Sequence, residues 1–230
     1  MSTAHLLRSS VLRKQIVAVT GLAMVGFIIL HLAGNLLIFL GPEAFNGYSK
    51  LLHAVPELLW VARIILITAL ILHVYFTAKL FRENHEAREE RYAVENSKRD
   101  DVAFARKYMI YTGLLVFFFL FLHLWDFTIT SKVGPQTIIP DVAGNKQLGL
   151  YGLVWNDFHN WLRSLIYVAA VCSVGLHLSH GIQSMFQTIG INHERYTPII
   201  VKASIVIGII VAVGFSMIPL YVILRGTPSI

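Results

Sequence analysis

Charged residues are scarce in this chain: they make up 14% of its 230 residues, against roughly a quarter in an ordinary soluble domain. Hydrophobic residues make up 56%, and the mean hydropathy is +0.64. This composition excludes a large water-soluble domain and indicates an integral membrane protein. The formal net charge of +6 is better explained by membrane topology than by nucleic-acid binding.

Cysteine is nearly absent, which excludes whole classes of site. The single Cys172 cannot form a disulfide within the chain, and it cannot build an iron–sulfur or structural zinc site. Acidic residues are almost missing from the middle of the apolar runs, and the first four runs contain no internal proline. A proton-relay transporter normally shows mid-membrane carboxylates and broken helices, so that class is the less favoured alternative.

Five apolar runs are long enough to cross a hydrocarbon layer of about 30 Å, which takes about 20 helical residues. The predicted spans cover residues 16–40, 58–81, 108–130, 161–187 and 199–224. We therefore predict an all-α integral membrane protein with one domain over residues 1–230. Spans one to four are expected to form a bundle, with span five alongside.

The distribution of basic residues predicts the orientation of the spans. Thirteen lysines and arginines flank one side and six flank the other, which places the N-terminus in the cytoplasm and the C-terminus outside. The connection at residues 82–107 is dense in charges of both signs and is expected to be a solvated loop or a docking surface. The outer segment 131–160 is rich in glycine and proline and predicts a structured cap. The tryptophans cluster at the outer ends, as an interfacial belt would: Trp60, Trp125, Trp155 and Trp161.

Four of the five spans carry a histidine deep inside: His31, His73, His123 and His177. An ionisable side chain in a bilayer is costly, so it is rarely there without a partner or a role. His31 and His123 each lie fifteen residues from the inner ends of their spans, about 22 Å at about 1.5 Å per residue. His73 and His177 lie fifteen and sixteen residues from the outer ends of theirs. Depth therefore predicts an outer pair, His31 with His123, and an inner pair, His73 with His177, separated by about 10–15 Å.

Such pairs suit haem b, whose iron takes one imidazole on each face from helices that face each other across a bundle. Zinc would need three or four ligands at one depth, whereas these histidines divide between two levels. We therefore expect two haem b groups. A haem-free proton or ion transporter remains the alternative from another class.

An internal repeat supports this plan. Thr-Gly-Leu at 20–22 is followed after seven residues by Leu-His-Leu at 30–32, and both segments recur with the same spacing at 112–114 and 122–124. Spans two and four also share a Leu-His pair. The chain is interpreted as two helix pairs of one plan plus a fifth helix. The glycines of the repeat lie near the inner pair's depth, where the missing side chain admits a macrocycle or a closely packed helix.

On these residues the chain resembles the dihaem cytochrome b membrane anchor of succinate dehydrogenase and fumarate reductase, the five-helix type with a single anchor polypeptide. The resemblance covers nearly the whole chain. Besides the four histidines, it rests on Gly-Pro-Glu-Ala-Phe-Asn at 41–46, His-Leu-Trp-Asp at 123–126 and Leu-His-x-x-His-Gly at 176–181. It implies that His31 and His123 hold the iron of the outer haem, and that His73 and His177 hold the iron of the inner haem.

The resemblance also implies a function: electron transfer between menaquinone at the outer side and a cytoplasmic iron–sulfur subunit joined to a flavoprotein. The setting would be a bacterial cytoplasmic membrane. No dicarboxylate chemistry is expected on this chain, and the direction of turnover stays open. The anchor of another quinone-linked oxidoreductase, of the hydrogenase or formate dehydrogenase type, is the nearest alternative.

A quinone site needs a general acid or base because quinone chemistry moves two protons. The candidates at the outer side are Glu43, His53, Glu57 and Asp126, with Asp157 and His159 as further ones. Some relatives carry a glutamate two residues before the fourth histidine, linked to transmembrane proton movement. This chain has Gly175 there, which favours electrogenic turnover. Haem propionates are expected near His180 and near the polar residues Arg13, Lys14, Gln15, Lys79 and Arg82.

Overall fold

A computed structural model of the chain describes residues 9–86, 100–139 and 147–226. These ranges contain seven α-helices and no strand; Ile138 and Gln147 form an isolated β-bridge. A 3-10 turn, Leu36–Leu40, extends the first helix, and a π-helical turn, Trp125–Ile129, extends the fourth. The helices are α1 Ser10–Asn35, α2 Pro42–His53, α3 Pro56–Glu86, α4 Asp100–Leu124, α5 Gly149–His159, α6 Trp161–Thr188 and α7 Thr197–Arg225.

Five of these helices, α1, α3, α4, α6 and α7, are long and apolar enough to cross a membrane. The predicted all-α fold with five spans is therefore confirmed, and it is consistent with a multi-pass membrane protein. Three helices run well beyond their predicted spans, since α1 begins at Ser10, α3 continues to Glu86 and α4 begins at Asp100. Hydropathy marks the apolar stretch, whereas helical hydrogen bonds continue beyond it into water. The extensions of α1 and α3 are joined by an ion pair between Arg13 and Glu83.

The order of packing defines a bundle that is open on one side. Helix α1 packs against α3 and α6, and α4 packs against α6. Helix α7 lies alongside α6 and also touches α1, which agrees with the predicted position of the fifth span. Over the described residues, α3 and α4 do not pack extensively against each other. Contact between these two helices therefore does not close the bundle.

Two glycines face each other where α6 packs against α7. A Cβ added at Gly175 would lie 2.5 Å from the carbonyl oxygen of Gly208, and the reverse distance is also 2.5 Å. Only glycine permits a backbone contact of this kind between membrane helices. Pro219, which lies inside α7, is also buried.

A cap covers the end of the bundle at which α3 and α6 begin; we call it the cap end. The cap consists of α2, the 3-10 turn Pro135–Thr137 and α5. Asn46 of α2 joins two parts of it, because its Nδ2 donates to the carbonyl of Leu148 at 2.8 Å and its Oδ1 accepts from the backbone N–H of Tyr151 at 3.0 Å. The structured cap agrees with the sequence prediction, although residues 140–146 lie outside the described residues. Much of the predicted charged connection, residues 87–99, also lies outside them.

One tryptophan departs from the predicted interfacial belt. Trp60, Trp125 and Trp161 are exposed at the cap end, as a belt requires. Trp155 is only 1% exposed, and its Nε1 donates to the carbonyl of Gly226 at 3.3 Å. The belt prediction is therefore wrong for Trp155, which packs in the core of the cap because α5 folds back over the helix ends.

Candidate functional site

The outer pair lies together across the bundle. The ring centroids of His31 on α1 and His123 on α4 are 5.7 Å apart, and the rings meet edge to face. With metal–nitrogen bonds of about 2 Å, two imidazoles on one metal ion have centroids roughly 6 Å apart. The observed separation is of that size.

Aromatic side chains surround the outer pair. Phe27 stacks on His31 at 5.1 Å between centroids, and Phe215 lies 5.8 Å from the same ring. His123 contacts three further rings, those of Phe119, Phe127 and Tyr167. Such walls are apolar and exclude water, so they suit a large flat apolar group. One turn further along α1, Asn35 donates to the carbonyl of His31 at 2.8 Å, and the same Nδ2 lies 3.4 Å from the Nδ1 of His31.

The inner pair, His73 on α3 and His177 on α6, lies close enough for the two imidazoles to interact electrostatically. The repeat glycines lie at the same depth. A Cβ at Gly21 would be 3.4 Å from Cε1 of His73, and a Cβ at Gly113 would be 3.1 Å from Cε1 of His177. The glycines thus make room for the imidazoles themselves, whereas the sequence suggested a macrocycle or a neighbouring helix.

A backbone carbonyl accepts a hydrogen bond from Nδ1 of each inner imidazole. Nδ1 of His73 lies 3.2 Å from the carbonyl oxygen of Val17, and His177 makes the equivalent bond to the carbonyl of Met109. A carbonyl can only accept, so Nδ1 carries the hydrogen and Nε2 keeps its lone pair. This is the usual arrangement of a histidine that ligates a metal through Nε2.

The space beside the histidines also suits a bound group. All four imidazoles are half-buried rather than enclosed. The hydroxyl of Thr77, one turn after His73, is buried without a hydrogen-bond partner. In the described part of the chain, no group of three or more His, Cys, Asp or Glu residues could hold a bare metal ion. Two imidazoles at each pair, with apolar walls around the outer pair, are compatible with a haem b ligated by two histidines.

A network of charges lies between the cap and the outer pair. Asp126, in the π-helical turn, is 6% exposed. Nη1 of Arg163 donates to both of its carboxylate oxygens, at 2.9 and 2.7 Å. Arg163 also lies 3.8 Å, through Nε, from Oδ1 of Asp157. The second oxygen of Asp157 is buried without a hydrogen-bond partner.

Two carboxylates therefore share one guanidinium at this site. Burial, reinforced by the nearby Asp126, raises the pKa of Asp157 to about 6, and Arg163 opposes the shift. A carboxyl group with such a pKa takes up and releases a proton close to neutral pH. Sequence reasoning missed Arg163 as a partner of Asp126. The only indication in the sequence was that Arg163 is a basic residue at the start of the fourth span.

The structure does not bring the four named quinone-site candidates together. Among the described residues, no hydrogen bond or ion pair links any two of Glu43, His53, Glu57 and Asp126. Asp126 is fully engaged by its partners, and His53 is exposed with its Nδ1 2.7 Å from the carbonyl of Ser49. Glu57 and His159 are exposed. Glu43 lines a surface cleft of about 330 Å³ together with Pro42, Asn46, Gly47, Lys50, Gln147 and Leu148.

The polar residues named for haem propionates differ in burial. Arg13 is 6% exposed and paired with Glu83. His180 and Lys79 are half-buried, and His180 interacts electrostatically with His177. The others, Lys14, Gln15 and Arg82, are exposed.

Comparison of the chain with protein-family models, curated proteins and solved structures finds no match.

Proposed function

We propose that this protein is the dihaem cytochrome b membrane anchor of a succinate dehydrogenase or quinol:fumarate reductase. It would carry electrons between menaquinone at the cap end and an iron–sulfur subunit with its flavoprotein at the opposite end. The observation that carries the proposal is the arrangement of His31, His73, His123 and His177 as two facing pairs within apolar helices. The resemblance in sequence supplies the rest.

Bound haem b would supply one-electron transfer. The chain's own residues hold and shield it. Nε2 of the two inner imidazoles would be free to bind the iron, and the aromatic side chains around the outer pair exclude water. A separation in depth of about 10–15 Å between the pairs, from the helical rise, gives a short path along the bundle.

The chemistry of menaquinone requires proton exchange at the same end as the outer pair. Of the acidic residues considered for that role, Asp157 is the best suited, because its pKa lies at about 6 and one of its oxygens is unpartnered. Asp126 is less suited, since Arg163 and Tyr167 already occupy its oxygens.

The test is the haem b content of the purified, membrane-extracted protein, measured per polypeptide by pyridine haemochrome. Two haems per chain are expected. A folded protein without haem would overturn the proposal and favour a proton or ion pathway. Subunits that co-purify separate the nearest alternatives: a flavoprotein with an iron–sulfur protein supports the proposal, whereas a hydrogenase or formate dehydrogenase subunit would overturn it.

A further inference from the structure

Two threonines contact the inner histidines in the same way. Oγ1 of Thr20 lies 3.3 Å from Nδ1 of His73, and Oγ1 of Thr112 lies 3.3 Å from Nδ1 of His177. The contacts occur on different helix pairs, α1 with α3 and α4 with α6. A chance contact would not be expected to recur at the same distance and on the same imidazole atom.

The direction of these hydrogen bonds follows because each threonine hydroxyl has a single hydrogen, which it already donates elsewhere. Thr20 Oγ1 lies 2.7 Å from the carbonyl of Ile16 in its own helix. Thr112 Oγ1 lies 3.0 Å from the carbonyl of Met109. A hydroxyl has one hydrogen and two lone pairs, so it has only lone pairs left for the imidazole. Nδ1 is therefore the donor, shared between a threonine oxygen and a backbone carbonyl.

The residue after each threonine completes the contact. Gly21 and Gly113 leave space where a Cβ would approach Cε1 of the imidazole at 3.4 and 3.1 Å. The Thr-Gly dipeptide thus provides an acceptor for Nδ1 and clearance for Cε1 at successive positions. The two copies of Thr-Gly in the sequence correspond to two copies of one binding surface for an imidazole.

We propose that Thr20 and Thr112 are positioning residues that fix the proton of His73 and His177 on Nδ1 and hold Nε2 toward a shared ligand. The proposal rests on the proposed function only in naming that ligand as haem b. A hydrogen bond from Nδ1–H raises the basicity of a ligating imidazole. Loss of the threonine oxygen should therefore weaken electron donation to the iron and raise the midpoint potential of the inner haem.

The test uses Thr20→Val and Thr112→Val in the full-length protein, since valine keeps the shape and removes the oxygen. Thr20→Ser and Thr112→Ser restore the oxygen. Thr188→Val is the matched control, because Thr188 also donates to its own helix, at 2.8 Å to the carbonyl of Ser184, and makes no hydrogen bond to a histidine in the described part of the chain. Redox titration should show an upward shift for one haem in each valine variant, a larger shift in the double variant, and no shift for the other haem.

The low-spin electron paramagnetic resonance signal of the same haem should change in the valine variants and return in the serine variants. Two haems with unaltered potentials and spectra in both valine variants would overturn the proposal. A folded valine variant that loses one haem would support the proposal if the corresponding serine variant keeps both haems. If a valine variant does not insert, Thr20→Ala and Thr112→Ala provide the same readout without added apolar bulk.

A measurement on the imidazoles alone separates this proposal from the proposed function. Nitrogen-15 resonances of His73 and His177 in the full-length protein should report protonated Nδ1, with Nε2 either unprotonated or metal-bound. If the wild-type protein proves to contain no haem, a change of tautomer in the valine variants would still support the role of the threonines, although the proposed function would have failed. A tautomer independent of Thr20 and Thr112 would overturn the threonine role.

Discussion

The phenolic hydroxyl of Tyr167 donates a 2.7 Å hydrogen bond to the carboxylate of Asp126, and its ring lies 6.2 Å from the ring of His123. One side chain therefore contacts both the buried charges near the cap and an imidazole of the outer pair. Asp126 lies only three residues after His123, in the π-helical turn that follows α4. This turn places its carboxylate against Arg163 of α6. Protonation and charge in the network are thus placed to influence the candidate cofactor site.

Replacing Arg163 should destabilise the cap end strongly. Arg163→Met leaves the buried carboxylate of Asp126 without its bidentate partner, and the loss of a partner from a buried ion pair costs roughly 2–4 kcal/mol when that partner is partly exposed. Thermal unfolding in detergent micelles measures the change. Arg82→Gln is the control, because the Arg82–Glu86 pair is exposed and should contribute nothing measurable. Equal, small effects of both substitutions would contradict the prediction.

The elevated pKa of Asp157 predicts a pH dependence of stability. Its pKa rises from 3.8 to about 6 on folding, so the folded protein binds more protons than the unfolded chain between these values. The free energy of unfolding should therefore fall as pH rises from about 4 to about 6, by roughly 1–3 kcal/mol, and then level off.

Unfolding of Asp157→Asn over the same pH range is the check. Asparagine stays neutral at every pH, so this part of the fall should disappear. A wild-type protein that gains stability over this interval, with the same slope in the variant, would show that Asp157 is ionised throughout in the folded state.

Single substitutions of the histidines should remove one haem each. His73→Ala should reduce the haem b content from two per chain to one, and His31→Ala should do the same at the other pair, since each haem needs both axial ligands. The pyridine haemochrome assay on folded variants measures this. His53→Ala is the control, as His53 is exposed on α2, and should retain both haems. A folded His73→Ala protein with two haems would show that another residue ligates the iron.

The pairing by depth could be predicted because the helical rise is constant. Counting residues from the span ends converts position into height without knowledge of how the helices rotate. Contacts that depend on rotation could not be predicted this way. The Asp126–Arg163 pair requires the π-helical turn after His123, and no periodicity in the sequence indicates that turn. Trp155 was misassigned for a related reason, since hydropathy does not reveal that α5 folds back over the bundle.

The threonine of the Thr-Gly repeat shows a second limit of prediction from the sequence. The recurrence of Thr-Gly at 20–21 and 112–113 was visible in the sequence, and the depth of the glycines could be predicted. Which imidazole lies against them could not, because the helical rise gives the depth of a residue but not the direction in which it faces. The contact of Thr20 with His73 emerges only when α1 is packed against α3.

Gly175 should tolerate no side chain. In Gly175→Ala the new Cβ would lie 2.5 Å from the carbonyl oxygen of Gly208, so α7 must move away at a cost of about 1–3 kcal/mol, as in other overpacked sites. Gly26→Ala is the matched control, since nothing lies within 4 Å of its added Cβ and alanine favours the helix. Thermal unfolding in micelles should show a lower melting temperature for the first variant only. Unchanged stability of Gly175→Ala would show that the helices separate freely.

Each half of the bundle orients one inner histidine by itself, whereas each histidine pair is shared between the two halves. Helix α1 provides Thr20 to His73 of α3, and α4 provides Thr112 to His177 of α6. Each inner histidine is thus oriented within its own transmembrane hairpin. Each pair, in contrast, takes one histidine from each hairpin. Whatever the pairs bind would therefore also link the two hairpins, in addition to the direct packing of α1 against α6.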